Sequence, residues 1–391
     1  MFPADQSRMT HLRDSSLPGR QPHSDGIDLL RGLSVVWVIL FHLQLRMPFE
    51  TTPLGARLPP EIFNAVLRSG YYGVVIFFAI SGFLITTTSL RRWGRLDTIN
   101  PVDFYVLRLT RIWPCLIALL AVLSLLHLLA ADGFVVTTVP LYRPLLAALS
   151  FHVNWLEAAT GYLPGSWDIL WSLAVEEMFY FVFPLLCLAA RMPGRLVAML
   201  CVFVVLGPLA RTILTDNDLW ADKSYLSGAD AIALGCIAAL VSQRMKDRPA
   251  LRGTCLAAGV LLFALIFVFR RQTSELGLTA LGLNVTALAL AVCLMLIALQ
   301  DRRLAFGACA LTVTAPLRWF GRNSYEVYLS HMLVITPLAS LSPAAGSDTV
   351  PALMFFLAGL VLSGITGDVI ARFYSAPLNA GLRSLYGQRP G

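Results

Sequence analysis

Charge is what this chain has least of. Asp, Glu, Lys and Arg make up 14% of its 391 residues, against about 25% in a soluble domain. That scarcity, with 57% hydrophobic residues, excludes a soluble enzyme carrying a single anchor. Cysteine pairing is missing too. The seven cysteines are scattered, with no C-x-x-C and no metal-ligand spacing, so the sequence predicts neither a disulfide framework nor a zinc site. No internal repeat is visible, which counts against an inverted-repeat transporter. No small-residue cleavage site follows the first apolar stretch, which reads Gln44-Leu-Arg-Met-Pro48 after His42, so it is expected to be retained and not cleaved as a signal peptide.

What is present is a series of apolar segments. At about 20 residues per span, the chain reads as an all-α polytopic membrane protein with about ten transmembrane helices. They fall near 29–45, 70–90, 112–131, 167–190, 195–214, 225–243, 251–269, 278–300, 323–342 and 351–371. A short apolar stretch at 141–155 is expected to be interfacial or re-entrant. With the N-terminus inside, 21 Lys and Arg fall on the inner side and 8 on the outer. The positive-inside rule then puts both termini in the cytoplasm. The net charge of +7 follows from this bias and calls for no nucleic-acid partner.

Ionisable and polar groups inside the spans carry the functional signal, because an Arg at the bilayer centre costs at least about 2.5 kcal/mol. Arg31 and His42 lie eleven residues apart in the first span. At about 100° per residue they share one helix face, roughly 16 Å apart along it. The second span holds Ser81-Gly82, which fits helix packing or a substrate contact. Arg108 and Arg111 share a face at the entry to the third span. They read either as a positive-inside anchor or as a phosphate clamp.

In the fourth span Ser172, Glu176 and Tyr180 recur at i, i+4 and i+8, which makes Glu176, and not Glu177, the inward carboxylate. Depth places Glu176 level with His42, and that pairing reads equally as a structural bond between spans or as catalysis. In the ninth span Ser324, Tyr328 and His331 form another polar face. Asp230 and Asp368 have no assigned role.

Taken in order, these residues resemble the acyltransferase 3 family of integral-membrane acyltransferases. Arg31 and His42 match its R-x10-H signature. Phe77 to Phe83 is similar to its FFxxSGF motif, and Arg108-Leu-Thr-Arg111 before Pro114 to its RxxR-x-x-P segment. Trp171-Ser-Leu-Ala-Val-Glu176 with Phe179 and Tyr180 is similar to WSLxxE–FY. Ser324 to His331 is similar to SYxxYLxH, and Asp230 with Gly235 resembles a weaker D-x4-G element. One departure stands at Phe373-Tyr-Ser-Ala-Pro377, where the family often carries a Glu before Arg-Pro. No SGNH esterase-like domain follows, so a stand-alone member is expected.

The resemblance implies transfer of an acyl group, commonly acetyl, from cytoplasmic acyl-CoA to a hydroxyl of a carbohydrate or secondary-metabolite acceptor. It needs no metal, and it implies a multi-pass protein of the inner (plasma) membrane. A surface polysaccharide, a lipid-linked sugar, a Nod-type oligosaccharide and a macrolide all fit as acceptor. The implied domain division is a flexible cytoplasmic tail at 1–27, the transmembrane acyltransferase domain at 28–373 and a cytoplasmic C-terminal tail at 374–391. In this reading Arg31, Arg108 and Arg111 hold the nucleotide, His42 is the general base and Glu176 orients it. Ser81, Trp171, Ser172, Tyr180, Tyr328 and His331 contact substrate, with Ser81, Tyr328 or His331 as oxyanion donor. A covalent acyl-His42 intermediate is the variant mechanism. The alternative function is a proton-coupled transporter or flippase of a polar glycolipid. A structural scaffold is the third.

Overall fold

The computed structural model describes residues 24–213, 216–300, 308–341 and 348–387. The described residues form helices and connecting turns, with no strand among them. Ten long helices stand at the ten expected places. They are α1 Asp25–Arg46, α2 Gly70–Trp93, α3 Pro101–Leu128, α4 Leu170–Ala190, α5 Pro193–Thr212, α6 Tyr225–Arg244, α7 Pro249–Val268, α8 Leu283–Leu299, α9 Ser324–Leu341 and α10 Thr349–Ile370. Eight helical stretches are long and apolar enough to cross a bilayer, and α8 is a shorter apolar helix of the same character. The protein is an all-α polytopic membrane protein. Most of the expected N-terminal tail, residues 1–23, lies outside the described residues.

Local sequence explains where helices begin and end. The Asn100 side chain accepts hydrogen bonds from the Val102 and Asp103 amides, and Pro101 occupies the first turn. Together they start α3 about eleven residues before the expected span. Arg108 and Arg111 therefore lie inside a helix and not at its entry. Hydropathy alone missed this because Asp103, Arg108, Thr110 and Arg111 interrupt the apolar run there. Gly94, at φ 74°, closes α2 in a conformation that glycine adopts freely. The apolar stretch at 141–155 becomes two short helices, Tyr142–Leu149 and Val153–Thr160. At the other end, α10 runs through a π-helical turn, Ala371–Ser375, into a helix at Ala376–Gly387. The segment expected to be a tail from 374 is thus helical through 387.

The core is built on two backbone-to-backbone crossings. A Cβ on Gly82 would stand 1.9 Å from the Ile232 carbonyl oxygen, and one on Gly235 would stand 2.1 Å from that of Ala79. Each glycine thus clears the way for the other helix, and α2 and α6 pack in direct contact. The same reciprocity joins Gly32 of α1 to the short helix Ala315–Arg322, where a Cβ would meet the Leu317 oxygen at 1.8 Å, and Gly321 to the Asp28 oxygen at 1.8 Å. Around these crossings α1 packs on α2 and α9, and α4 packs on α6, α5 and α3. A cavity is left where α1, α2, α3, α4 and α9 converge.

Candidate functional site

That inner cavity has an empty volume of ≈ 860 Å³ where it is counted out to open solvent. The three arginines singled out by sequence, Arg31, Arg108 and Arg111, all line it, and so does Glu176. Arg31 donates from Nε to the Ser324 hydroxyl at 3.0 Å. The Arg108 guanidinium lies 3.7 Å from the centre of the Tyr180 ring, a cation–π contact. Ser81 and Tyr180 are hydrogen-bonded through their hydroxyls. Glu176 lies close to Ser81 and faces the charges of Arg108, Arg31 and Arg111. Three cations to one carboxylate leave the cavity electropositive.

The expected stripe of α4 is present. Ser172, Glu176 and Tyr180 all line the cavity, while the side chain of Glu177 does not. Across from them, the Tyr328 hydroxyl donates to the Ile169 carbonyl at 3.0 Å and lies 2.7 Å from the Ser172 hydroxyl. These bonds fix the wall facing α9.

Arg31, Leu84, Arg111 and Tyr325 line both this cavity and a larger vestibule of ≈ 4380 Å³ empty volume. Arg91, Lys246, Arg322, Arg372 and Arg383 add to its positive charge, against Asp28, Glu326 and Asp368. Glu326 accepts from Ser375 at 2.6 Å, and Asp368 accepts from Asn323 at 2.8 Å and Trp319 at 3.2 Å. A large polyanion fits this chemistry, since arginine forks bind phosphate oxygens in pairs.

His42 lies beyond the inner cavity, and its neighbour is not Glu176. Its Nδ1 is 2.9 Å from the Val38 carbonyl oxygen and 3.3 Å from Nε2 of His331. His331 is fully buried, with its own Nδ1 2.6 Å from the Tyr328 carbonyl oxygen. A backbone carbonyl can only accept, so Nδ1 of His331 carries the proton and its Nε2 is a lone pair. By the same logic His42 donates from Nδ1, leaving its Nε2 free and basic. The pairing of His42 with Glu176 is therefore corrected. Equal depth did not bring them together, because α1 packs on α9 while Glu176 turns toward the arginines.

Other expectations resolve similarly. Trp171 is not on the cavity. It stacks on Tyr71 at 6.2 Å and meets the edge of Phe78 at 6.1 Å. Asp230 is half of a buried ion pair, 2.7 Å from Arg211, and also accepts from Thr286 at 2.6 Å. Asp368 forms an ion pair with Arg372 at 2.8 Å besides its neutral donors. Sequence reasoning passed over Tyr325, although it stands next to Ser324 in the ninth span. It also passed over a buried cluster in which Lys223 bonds to Glu157 at 2.8 Å and to Asp168. No spacing rule links those three positions.

Comparison with known proteins places this geometry in a family. No solved structure matches the chain. It is 25% identical to the putative peptidoglycan O-acetyltransferase YrhL of Bacillus subtilis, over 92% of this chain and 55% of that protein. It is 24% identical to the O-acetyltransferase OatA of Staphylococcus aureus, over 90% of this chain and 57% of that protein. A third similarity, at 30% identity, is to a putative O-acetyltransferase of Staphylococcus aureus, over 41% of this chain and 24% of that protein. The chain thus spans a little over half the length of the first two relatives. A model of the acyltransferase domain matches residues 24–372, nearly the whole helical bundle with the inner cavity, the histidine pair and most of the vestibule lining, and the chain belongs to the acyltransferase 3 family.

Proposed function

We propose that this protein is an O-acyltransferase of the inner (plasma) membrane that moves an acyl group, acetyl above all, from acyl-CoA to a hydroxyl of a carbohydrate or related acceptor. One observation carries the reading: a wide basic vestibule narrows, through Arg31 and Arg111, into an inner cavity of ≈ 860 Å³ bordered by Tyr328, whose ring centre is 5.7 Å from that of His331. A donor with a phosphorylated head and a thin reactive arm has this shape and charge. The O-acetyltransferase names of the relatives support the reaction class.

In this reading the vestibule faces the cytoplasm, as the distribution of Lys and Arg favours. The nucleotide phosphates rest on vestibule cations, with Arg31, Arg108 and Arg111 at the neck and in the cavity. The arm carries the thioester past Ser81 and Tyr180 toward Tyr328. His42 is the general base. Its Nε2 takes the proton of the acceptor hydroxyl as that oxygen attacks the thioester carbonyl. The imidazolium then keeps its Nδ1 proton between the Val38 carbonyl and the His331 lone pair, two acceptors that favour the charged ring. Collapse of the tetrahedral intermediate breaks the C–S bond, and the proton on His42 Nε2 passes to the departing sulfur. His331 thus fills the orienting role that sequence gave to Glu176. Glu176 serves as counter-charge that holds the arginines in place. The Tyr328 hydroxyl donates to the oxyanion by turning its proton from the Ile169 carbonyl, which the Ser172 hydroxyl continues to bond.

The test is release of CoA thiol by purified protein in detergent, with acetyl-CoA and a hydroxylated acceptor. Turnover without an ion gradient, lost by about 10²-fold or more in His42→Ala, is the expected result. Equal rates in both proteins overturn the assignment. Turnover that requires a proton gradient points to transport instead.

A further inference from the structure

His42 has a side that neither cavity accounts for. The residue is half-buried, yet it lines neither the inner cavity nor the vestibule. It stands four residues before the end of α1, which closes at Arg46. The charges that act on the imidazole are those of Asp168, Arg46 and Lys223. None of the three lines either cavity. They belong to the end of the bundle away from the vestibule.

The arrangement at that end suits a ligand. Arg46 follows His42 at i+4, on the same helix face and about 6 Å away. It is exposed, and its guanidinium makes no hydrogen bond or ion pair with another described residue. A Cβ on Gly165 would stand 3.7 Å from Arg46 Nη2 and 2.8 Å from Met332 Cε, so the guanidinium lies near the backbone of the short helix Gly165–Asp168, beside Met332. Asp168 is itself fixed. Lys223, only 9% exposed and held by the fully buried Glu157, bonds to its Oδ1. Its carboxylate, on a side chain 20% exposed, has lone pairs beyond that one bond. Beside it Tyr162 is 65% exposed, with Lys223 Nζ 4.5 Å from its ring centre.

We propose that this end of α1 is the acceptor site, and that its occupant is an acidic sugar. Arg46 holds the sugar's carboxylate or phosphate. Asp168 accepts from a neighbouring hydroxyl, Tyr162 lies under the ring, and the hydroxyl to be acylated reaches His42. Arg46 and His42 stand one helical turn apart on the same face, so an acid group held by one and a hydroxyl at the other belong to one sugar or to two linked ones. Donor and acceptor then meet at the histidine pair from opposite ends of the bundle. The inference rests on the acyltransferase reading above.

The experiment offers wild-type protein acetyl-CoA with a hexuronic-acid oligosaccharide, its methyl ester, its carboxyl-reduced neutral form and a phosphorylated oligosaccharide. A charge-assisted bond predicts that kcat/KM for an acid acceptor, carboxylate or phosphate, exceeds that for the ester and neutral forms by about tenfold or more. In Arg46→Gln that ratio falls to within about twofold of unity, while Arg46→Lys keeps part of it. A wild-type ratio near one, or a ratio that survives in Arg46→Gln, overturns the proposal. The wild-type ratio decides even where the variant does not fold. Release of CoA without acid preference sinks this inference alone, whereas no release with any acceptor sinks the acyltransferase reading on which it stands.

Discussion

His42 and His331 meet across two helices, with Nδ1 of one 3.3 Å from Nε2 of the other and ring centres 5.0 Å apart. The buried member offers a lone pair and the partly exposed member supplies the proton. Removing that lone pair is expected to lower kcat for acyl transfer by about tenfold or more while the KM for acyl-CoA stays near wild type. Glutamine, whose side-chain oxygen can accept, restores part of the rate in His331→Gln relative to His331→Ala. Equal losses in both variants, with KM rising in parallel, make His331 a packing residue only.

The arginines at the neck are tested through the donor. Arg111→Gln takes one cation from both cavities and is expected to raise the KM for acyl-CoA by about tenfold with kcat less affected. The KM of wild-type protein should also rise with salt, since exposed phosphate contacts are screened. A fall in kcat at constant KM points away from donor binding.

Glu176→Gln separates two roles for one carboxylate. The change keeps a polar side chain beside Ser81 and deletes the counter-charge to Arg31, Arg108 and Arg111. As a counter-charge, Glu176 is felt mainly in the KM for acyl-CoA. As an orienting partner of His42 it is felt in kcat by about 10² or more, and steady-state kinetics on the single variant tells the two apart.

Stability has its own pair of tests. Asp230→Ala strands Arg211, whose side chain is 5% exposed, and is expected to cost about 3–5 kcal/mol, seen as a lower unfolding temperature in detergent. Gly82→Ala drives a methyl group into the Ile232 carbonyl, 1.9 Å away, and should destabilise by about 1–3 kcal/mol or more. Gly253→Ala is the control. Nothing lies within 4 Å of its Cβ position, so its unfolding temperature stays near or slightly above wild type.

Sequence carried the architecture well because bilayer-spanning helices announce themselves by length and polarity. All ten long helices stand where apolar runs predict them, and the 100° rule chose Glu176 over Glu177 as the cavity-lining carboxylate. Two things were not legible. The start of α3 depends on Asn100 and Pro101, a capping signal that a hydropathy window averages away. The partner of His42 depends on which helix packs beside α1, and depth along a helix axis does not report the neighbour around it. Asp168 and Arg46 escaped notice for the same reason, since their nearness to His42 is set by α1, α9 and a four-residue helix converging at one point.

The eleven residues between Arg31 and His42 act as a ruler. Both groups ride on one uninterrupted helix, and α1 is clamped backbone to backbone at Gly32. Movement elsewhere in the bundle cannot change the roughly 16 Å between them. In the proposed reaction, the length of donor that fits between Arg31 and His42 is thus written in residue count. One inserted residue between them would lengthen the ruler by only about 1.5 Å but turn His42 by about 100° relative to Arg31, away from His331, so orientation would be lost long before reach.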